Sequence, residues 1–172
     1  MSTATSTLTT SAGRVPARDA ELGQWVEAAP FRAHLSHLMA AGAMSSDMVA
    51  VLAGISPALA RRLLTGRGGR ALRRISPLTA AKLYQVTPQL VRSARRRPVP
   101  AGDAVARLQR LRAAGRTDGE LAELVGLSSL ALAELLTGRS SRCSQWVALR
   151  LAAEELRQPA RYAPGTAAGR AA

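Results

Sequence analysis

Between Met48 and Gly102 the chain contains no Asp or Glu, yet it holds Arg61, Arg62, Arg67, Arg70, Arg73, Arg74, Lys82, Arg92, Arg95, Arg96 and Arg97. A guanidinium is planar, permanently charged and rich in donors, so it pairs bidentately with phosphate or with the edge of guanine. A run of such groups without local acids predicts a surface for a polyanion rather than an ion-paired helix face. The charge is uneven along the chain: residues 1–100 carry 14 basic and 4 acidic groups, whereas residues 101–172 carry 10 and 7. Only one of the 24 basic residues is Lys, which favours planar contacts, although a GC-rich genome produces the same bias.

Other chemistries lack their residues. No Ser/His/Asp, Cys/His or paired-acid constellation occurs at convincing spacing, and Gly66-Arg67-Gly68-Gly69 lacks the Lys-Ser/Thr of a nucleotide loop. His34 and His37 lie one helical turn apart without a third or fourth ligand, so they read as helix-face histidines. The expectation is a protein that is not an enzyme and needs no metal or cofactor. A single Cys143 excludes an internal disulfide and fits a reducing compartment. No apolar run approaches the ~18 residues of a membrane span, and the Ser/Thr-rich start, Met1 to Gly13, lacks the apolar segment of a secretory signal. These features predict a cytoplasmic protein with no membrane partner.

The elements that must position the arginines come as an internal repeat. Gly54-Ile55-Ser56 and Leu63-Leu64-Thr65-Gly66-Arg67 recur 72 positions later as Gly126-Leu127-Ser128 and Leu135-Leu136-Thr137-Gly138-Arg139. Upstream, Leu35 to Gly42 corresponds to Leu108 to Gly115 at an offset of 73; downstream, Arg74-Ile75-Ser76 corresponds to Arg142-Cys143-Ser144 at an offset of 68. Ala and Leu dominate, aromatics are 3%, and β-branched runs are absent, so the chain reads as all-α.

Breakers and caps divide it into a tail over 1–18, a basic domain over 19–94, an Arg/Pro linker over 95–102, a second domain over 103–158 and a tail over 159–172. In the first domain a short helix is predicted over 19–29, stopped by Pro30 and anchored by Trp25 and Val26. Helices follow over 31–41, stopped by Gly42, from Ser45 or Ser46 to Ala53, over 56–65, 76–86 and 87–94. In the second, Asp103, Thr117 or Asp118, Ser128 and Ser144 are predicted caps, the last helix ending near Arg157. Trp25, Tyr84 and Trp146 are read as packing residues rather than a stacking platform for bases. The ten residues from Ser93 to Gly102 extend at most ~33–36 Å, which would let the two units occupy half-sites about one turn of DNA apart.

Ala50, Gly54, Ile55, Ser56 and Leu63 in repeat 1, and Ala122, Gly126, Leu127, Ser128, Leu132 and Leu135 in repeat 2, resemble the lambda-repressor-like helix-turn-helix domains. The resemblance covers about 31–92 and 103–157, and repeat 1 departs at Ala60, where a larger Ile or Val is usual. It implies two tandem four- or five-helix units of an all-α fold, with the third helix of each in the major groove of double-stranded DNA. On this resemblance the base-reading candidates are Ser56, Pro57, Ala58, Arg61, Arg62 and Thr65, joined by Ser45 and Ser46 at the start of the preceding helix. Arg67, Arg70, Arg73 and Arg74 would clamp the backbone or enter the minor groove, and Arg95, Arg96 and Arg97 are either a minor-groove arm or a charged hinge. Repeat 2 offers Ser128, Ser129, Arg139 and Arg142, but Leu130, Ala133 and Glu134 make its third helix apolar and partly acidic.

The leading functional expectation is therefore a DNA-binding transcription regulator. A weakly selective nucleoid-associated protein is the alternative within the same class. An adaptor docking on RNA polymerase or a second regulator through repeat 2 is the alternative from another class. A homodimer is compatible with each.

Overall fold

The computed structural model describes residues 25–66 and 70–157; the tails expected over 1–18 and 159–172, the start of the helix expected over 19–29, and Arg67 lie outside them. Among the described residues there are nine α-helices and four short strands, an all-α architecture with two small strand pairings. Repeat 1 comprises β1 (Val26–Glu27), α1 (Ala29–Gly42), α2 (Ser46–Ala53), α3 (Pro57–Thr65), β2 (Arg74–Ile75), α4 (Pro77–Tyr84) and α5 (Pro88–Ser93). Repeat 2 comprises β3 (Pro98–Pro100), α6 (Gly102–Ala113), α7 (Asp118–Val125), α8 (Ser129–Leu136), β4 (Arg142–Ser144) and α9 (Gln145–Arg157).

Side-chain caps start most of these helices. Ser45, Ser56, Ser76, Thr87 and Ser128 each accept a hydrogen bond from the backbone N–H three residues on, and Thr117 and Glu120 form a reciprocal capping box. Ser144 accepts from the Val147 N–H at 3.3 Å and starts α9 in the same way. At the turn between α2 and α3, Gly54 takes φ 65° and returns its N–H to the carbonyls of Ala50 and Val51; Gly126 does the same between α7 and α8.

Expectations about several element ends need correction. Val26 and Glu27 form a strand paired antiparallel with Arg74–Ile75, and Pro30 sits in the first turn of α1 rather than stopping a helix; a missing N–H is harmless there. Trp25 is 43% exposed and is no anchor, although Val26 packs against the core. Gly42 lies inside α1, where a Cβ would meet Val91 Cβ at 3.0 Å; Ala43 makes the left-handed exit at φ 48°. Asp103 is in the first turn of α6, and the N-cap is Ala101.

The segment read as a linker is ordered. Pro98–Pro100 pairs with Arg142–Ser144, so the connection folds back onto repeat 2 and does not extend as a spacer. This pairing also lengthens the repeat. Val26 opposite Ile75 in repeat 1 corresponds to Val99 opposite Cys143 in repeat 2, and the Ala28 N–H bonded to Arg73 O corresponds to the Ala101 N–H bonded to Ser141 O.

Leu35, Leu38, Val49, Leu63, Ile75, Leu83 and Val91 fill repeat 1, and Leu108, Leu111, Leu121, Val125, Leu132 and Leu151 fill repeat 2. The two sets form one continuous apolar cluster, because α9 packs on α6 of its own repeat and also on α2 of repeat 1. The α1–α2 pair turns through 107°, and no single helix among the described residues is long and apolar enough to cross a membrane.

At Gly66, φ is 74° and ψ −163°, and a Cβ would lie 2.1 Å from the Arg70 carbonyl oxygen; at its counterpart Gly138, φ is 73° with nothing within 4 Å. Gly138→Ala should cost about 1–2 kcal/mol in urea unfolding and Gly66→Ala clearly more, because the chain at Arg70 must move; equal costs would show that it yields freely. Glu155 accepts from Arg107 Nε at 3.0 Å and Arg110 Nε at 2.6 Å, and the bond from Arg110 in particular holds its carboxyl below the ordinary 4.5 despite some burial. A depressed folded pKa means the stabilisation is complete above pH 4.5 and is lost as pH falls through the lower folded value. Unfolding curves of the native chain and Glu155→Gln should differ at neutral pH and converge in acid; a constant gap would sink this assignment.

Candidate nucleic-acid interface

The site begins with α3, whose inner face is Ala60 and Leu63 and whose outer face carries Ser56, Ala58, Arg61, Arg62 and Thr65. Ala60 is fully buried, so the small residue is accommodated in the core. Pro57 is half-buried at the start of the helix. Two hydroxyls are committed to the chain: Ser56 Oγ caps the Leu59 N–H, and Thr65 Oγ1 donates to the Arg61 carbonyl at 2.9 Å. Ser45 and Ser46 are half-buried, the first capping Met48 and the second donating to Asp47 Oδ1 at 3.5 Å. That leaves Arg61 and Arg62 as the strongest exposed donors on α3.

Arg61 has a partner that the linear sequence does not announce. Its Nη1 lies 3.6 Å from Oδ2 of Asp47, a carboxylate only 1% exposed, which is bonded more closely by Arg157 Nε at 2.6 Å. The long contact and the half-exposed side chain leave Arg61 reachable by an external anion. Arg62 has no carboxylate within ion-pair distance among the described residues.

The loop after α3 is fixed by Arg32 of α1. Its Nε donates to the Leu63 carbonyl at 2.7 Å, near the end of α3, and its Nη2 donates to the Leu72 carbonyl at 3.0 Å. One half-buried guanidinium thus ties α3 to the strand-entry segment that bears Arg70, Arg73 and Arg74. These three are exposed around an open groove of about 1180 Å3 shared with Glu27 and Arg32. The segment without acids is therefore not free of acids in space: Asp47 reaches Arg61, and strand pairing sets Glu27 opposite Arg74. Lys82 donates from Nζ to the Gly54 carbonyl at 2.9 Å, steadying the α2–α3 turn.

The arginine triplet is not a free arm. The Arg96 and Arg97 N–H groups bond Ser93 O, while the carbonyls of Ala94 and Arg97 accept from Trp146 and Gln145 at the start of α9. Arg95 stacks on the Trp146 ring at 4.9 Å, with Arg150 on the same ring at 4.8 Å. All three side chains remain exposed at the surface. Trp146 is buried as expected, whereas Tyr84, also expected to pack, is 79% exposed.

Repeat 2 presents Ser128, Ser129, Leu130, Ala133, Glu134 and Thr137 on α8, all exposed. Ser128 Oγ caps Ala131, and Arg142 Nη2 reaches the Pro98 carbonyl at 3.4 Å; Arg139 is exposed. Other guanidiniums of this repeat are paired internally: Arg107 and Arg110 with Glu155, Arg112 with Asp118, Arg116 with Glu154. Burial pushes the Cys143 thiol pKa up, which disfavours the reactive thiolate. His34 Nε2 lies 3.2 and 3.0 Å from the Leu83 and Val86 carbonyls and tethers α1 to the end of α4. Among the described residues no three potential metal ligands come together.

Sequence reading missed Arg32, Asp47 and Arg157. Asp47 had one signal, as the sole acid between Glu27 and Asp103. Arg32 matters because its position in repeat 2 is Val105, so among the described residues the guanidinium clamp on the third helix and its following loop is seen in repeat 1 alone. Arg32→Ala should lower stability by roughly 1.5–3 kcal/mol, the range for hydrogen bonds to charged groups, and should raise amide exchange selectively over 70–74. Uniform exchange across the chain would refute the clamp. The chain matches no protein-family model, no curated protein and no solved structure, so a functional reading stands on these residues and their geometry.

Proposed function

We propose that the protein is a double-stranded-DNA-binding regulator built from two tandem helix-turn-helix units of the lambda-repressor-like kind, acting in the nucleoid. In this reading α3 enters the major groove with Arg61 and Arg62 toward base edges or phosphates, and Arg70, Arg73 and Arg74 grip the backbone or the adjacent minor groove. The observation that carries it is the distribution of unneutralised charge. Repeat 1 exposes Arg62, Arg70, Arg73 and Arg74 on α3 and its following segment, which Arg32 binds together. Repeat 2 spends Arg107, Arg110, Arg112 and Arg116 on internal carboxylates. Its own third helix offers Glu134 to the solvent, which repels phosphate, so repeat 2 contributes auxiliary contacts through Ser128, Ser129, Arg139 and Arg142.

A second reading draws on Leu130, 71% exposed on α8: repeat 2 docks on RNA polymerase or another regulator while repeat 1 holds DNA. Low-specificity nucleoid binding differs from regulation in one measurable way. If six to eight phosphates are contacted, log K falls with log salt at about −0.9 per phosphate. Arg73→Ala and Arg74→Ala should each reduce that slope by about 1 and weaken all sequences alike. Arg62→Ala should cost about 1–3 kcal/mol and flatten preference among genomic fragments. Selection from fragmented genomic DNA checks this: an unchanged preference in Arg61→Ala and Arg62→Ala would remove α3 as the reading head, and a random duplex binding as tightly as the best fragment would favour the nucleoid role.

A further inference from the structure

The two repeats meet through two different surfaces. α9 lies across α2: Trp146, Arg150, Ala153 and Arg157 share a crevice of about 220 Å3 with Ala43, Ser45 and Met48, and Arg157 bonds Asp47. A contact between unlike surfaces is heterologous, and making it once leaves one surface of each kind unused. Each repeat carries both.

The unused surfaces are visible position by position. At an offset of 68, Trp146, Leu149, Ala152 and Ala153 of α9 correspond to Leu78, Ala81, Tyr84 and Gln85 of α4. The α9 residues are buried, whereas Leu78 is 66% and Tyr84 79% exposed, and Ala81 and Gln85 are exposed as well. At an offset of 72, Asp47 and Met48 of α2 correspond to Gly119 and Glu120 of α7; the first pair is buried and the second exposed. Repeat 1 thus keeps an open α4 face, and repeat 2 an open α7 face.

The residue changes at these faces suit each other. Met48 and Arg150 line the same crevice in the inter-repeat contact, and their counterparts are Glu120 and Lys82. Repeating that packing sets a carboxylate beside an ammonium, whose bond to the Gly54 carbonyl uses one of its three donors. The capping bonds of Glu120 to the Thr117 N–H and hydroxyl both use Oε2, which leaves Oε1 for a new donor. Asp47 becomes Gly119, and the break at Thr87-Pro88 leaves α4 without the turn that carries Arg157, so no buried charge has to be desolvated there. Leu78 and Tyr84 supply apolar area, and the acids Glu120 and Glu123 on α7 meet a repeat of strongly positive charge.

We propose that a second copy of this chain docks its α4 face on the α7 face, head to tail, continuing the packing that already joins the two repeats. Leu78, Ala81, Lys82 and Tyr84 of one copy meet Gly119, Glu120 and Glu123 of the next. Each copy uses one α4 face and one α7 face, and the rotation between copies sets whether they close a ring or run on. Two variants separate the faces without touching the core. Leu78→Asp puts an acid in the first turn of α4, where the helix dipole favours it. Gly119→Arg fills the α7 face, and a Cβ there meets only Thr117 Oγ1 at 4.0 Å.

Sedimentation of the full chain without DNA tests the proposal separately from any nucleic-acid role. The average mass of the unaltered chain should climb with concentration to twice 18.0 kDa or a higher multiple. Each variant alone should remain a monomer, and an equimolar mixture should give a two-chain complex that grows no further, since each partner keeps one live face. A native chain that stays monomeric, variants that associate as the native chain does, or a mixture that fails to pair would overturn it.

Discussion

The burial of Asp47 is the constraint on which the arrangement of the two repeats depends. A carboxylate taken from water costs several kcal/mol unless it is paired and hydrogen-bonded. Asp47 meets that condition with Arg157 Nε at 2.6 Å, Arg61 Nη1 at 3.6 Å and the Ser46 hydroxyl at 3.5 Å. Those partners come from α9, α3 and α2, so a single side chain requires the last helix of repeat 2 to lie across the second helix of repeat 1. It also fixes one arginine of the candidate reading helix relative to that junction. Without α9 in place the carboxylate would face solvent, as its counterpart position Gly119 does.

Duplication built the frame, and unequal neutralisation gave its halves different surfaces. Both repeats keep the strand before the first helix, the glycine turn, the serine cap and the strand before the fourth helix. Repeat 2 then added Glu154 and Glu155, which consume Arg107, Arg110 and Arg116, whereas repeat 1 has uncharged Val86 and Thr87 at those positions. Arg32 adds a second difference. Tying Leu63 O and Leu72 O to one guanidinium spares the loop part of the ordering entropy that an external anion would otherwise have to offset.

Much of the fold was legible because caps and breakers are local. Ser45, Ser56, Ser76, Thr87, Thr117, Ser128 and Ser144 all start helices, and Gly54 and Gly126 turn the chain as their flanking residues suggest. What stayed hidden is non-local. Two- and three-residue strands have no periodicity to detect, so Val26–Glu27 read as helix and Pro98–Pro100 as linker. Gly42 looked like a stop because the close approach of Val91, from 49 positions away, cannot be seen in sequence. Pro30 is ambiguous in principle, since proline both ends one helix and begins another. At the site, the arginines of α3 and its loop were visible as a charge run. Their acids were not, because Asp47 pairs across 110 residues with Arg157, and Glu27 is brought opposite Arg74 only by strand pairing.

One dipeptide governs how far repeat 2 reaches. In repeat 1 the fourth helix ends at Tyr84, and Thr87-Pro88 starts a new one, whose Val91 turns back onto Gly42 of α1. Proline cannot donate to a helix already under way, so the break is enforced chemically. The same two positions in repeat 2 are Glu155-Leu156, and α9 runs on unbroken for 13 residues against 8 in α4. At 1.5 Å per residue that is about 20 Å against about 12 Å. Arg157 lies five positions beyond the counterpart of Tyr84, in the added length. The ion pair with Asp47 is therefore available only to a repeat whose fourth helix lacks the proline, and it strengthens the junction of α9 with α2 alone.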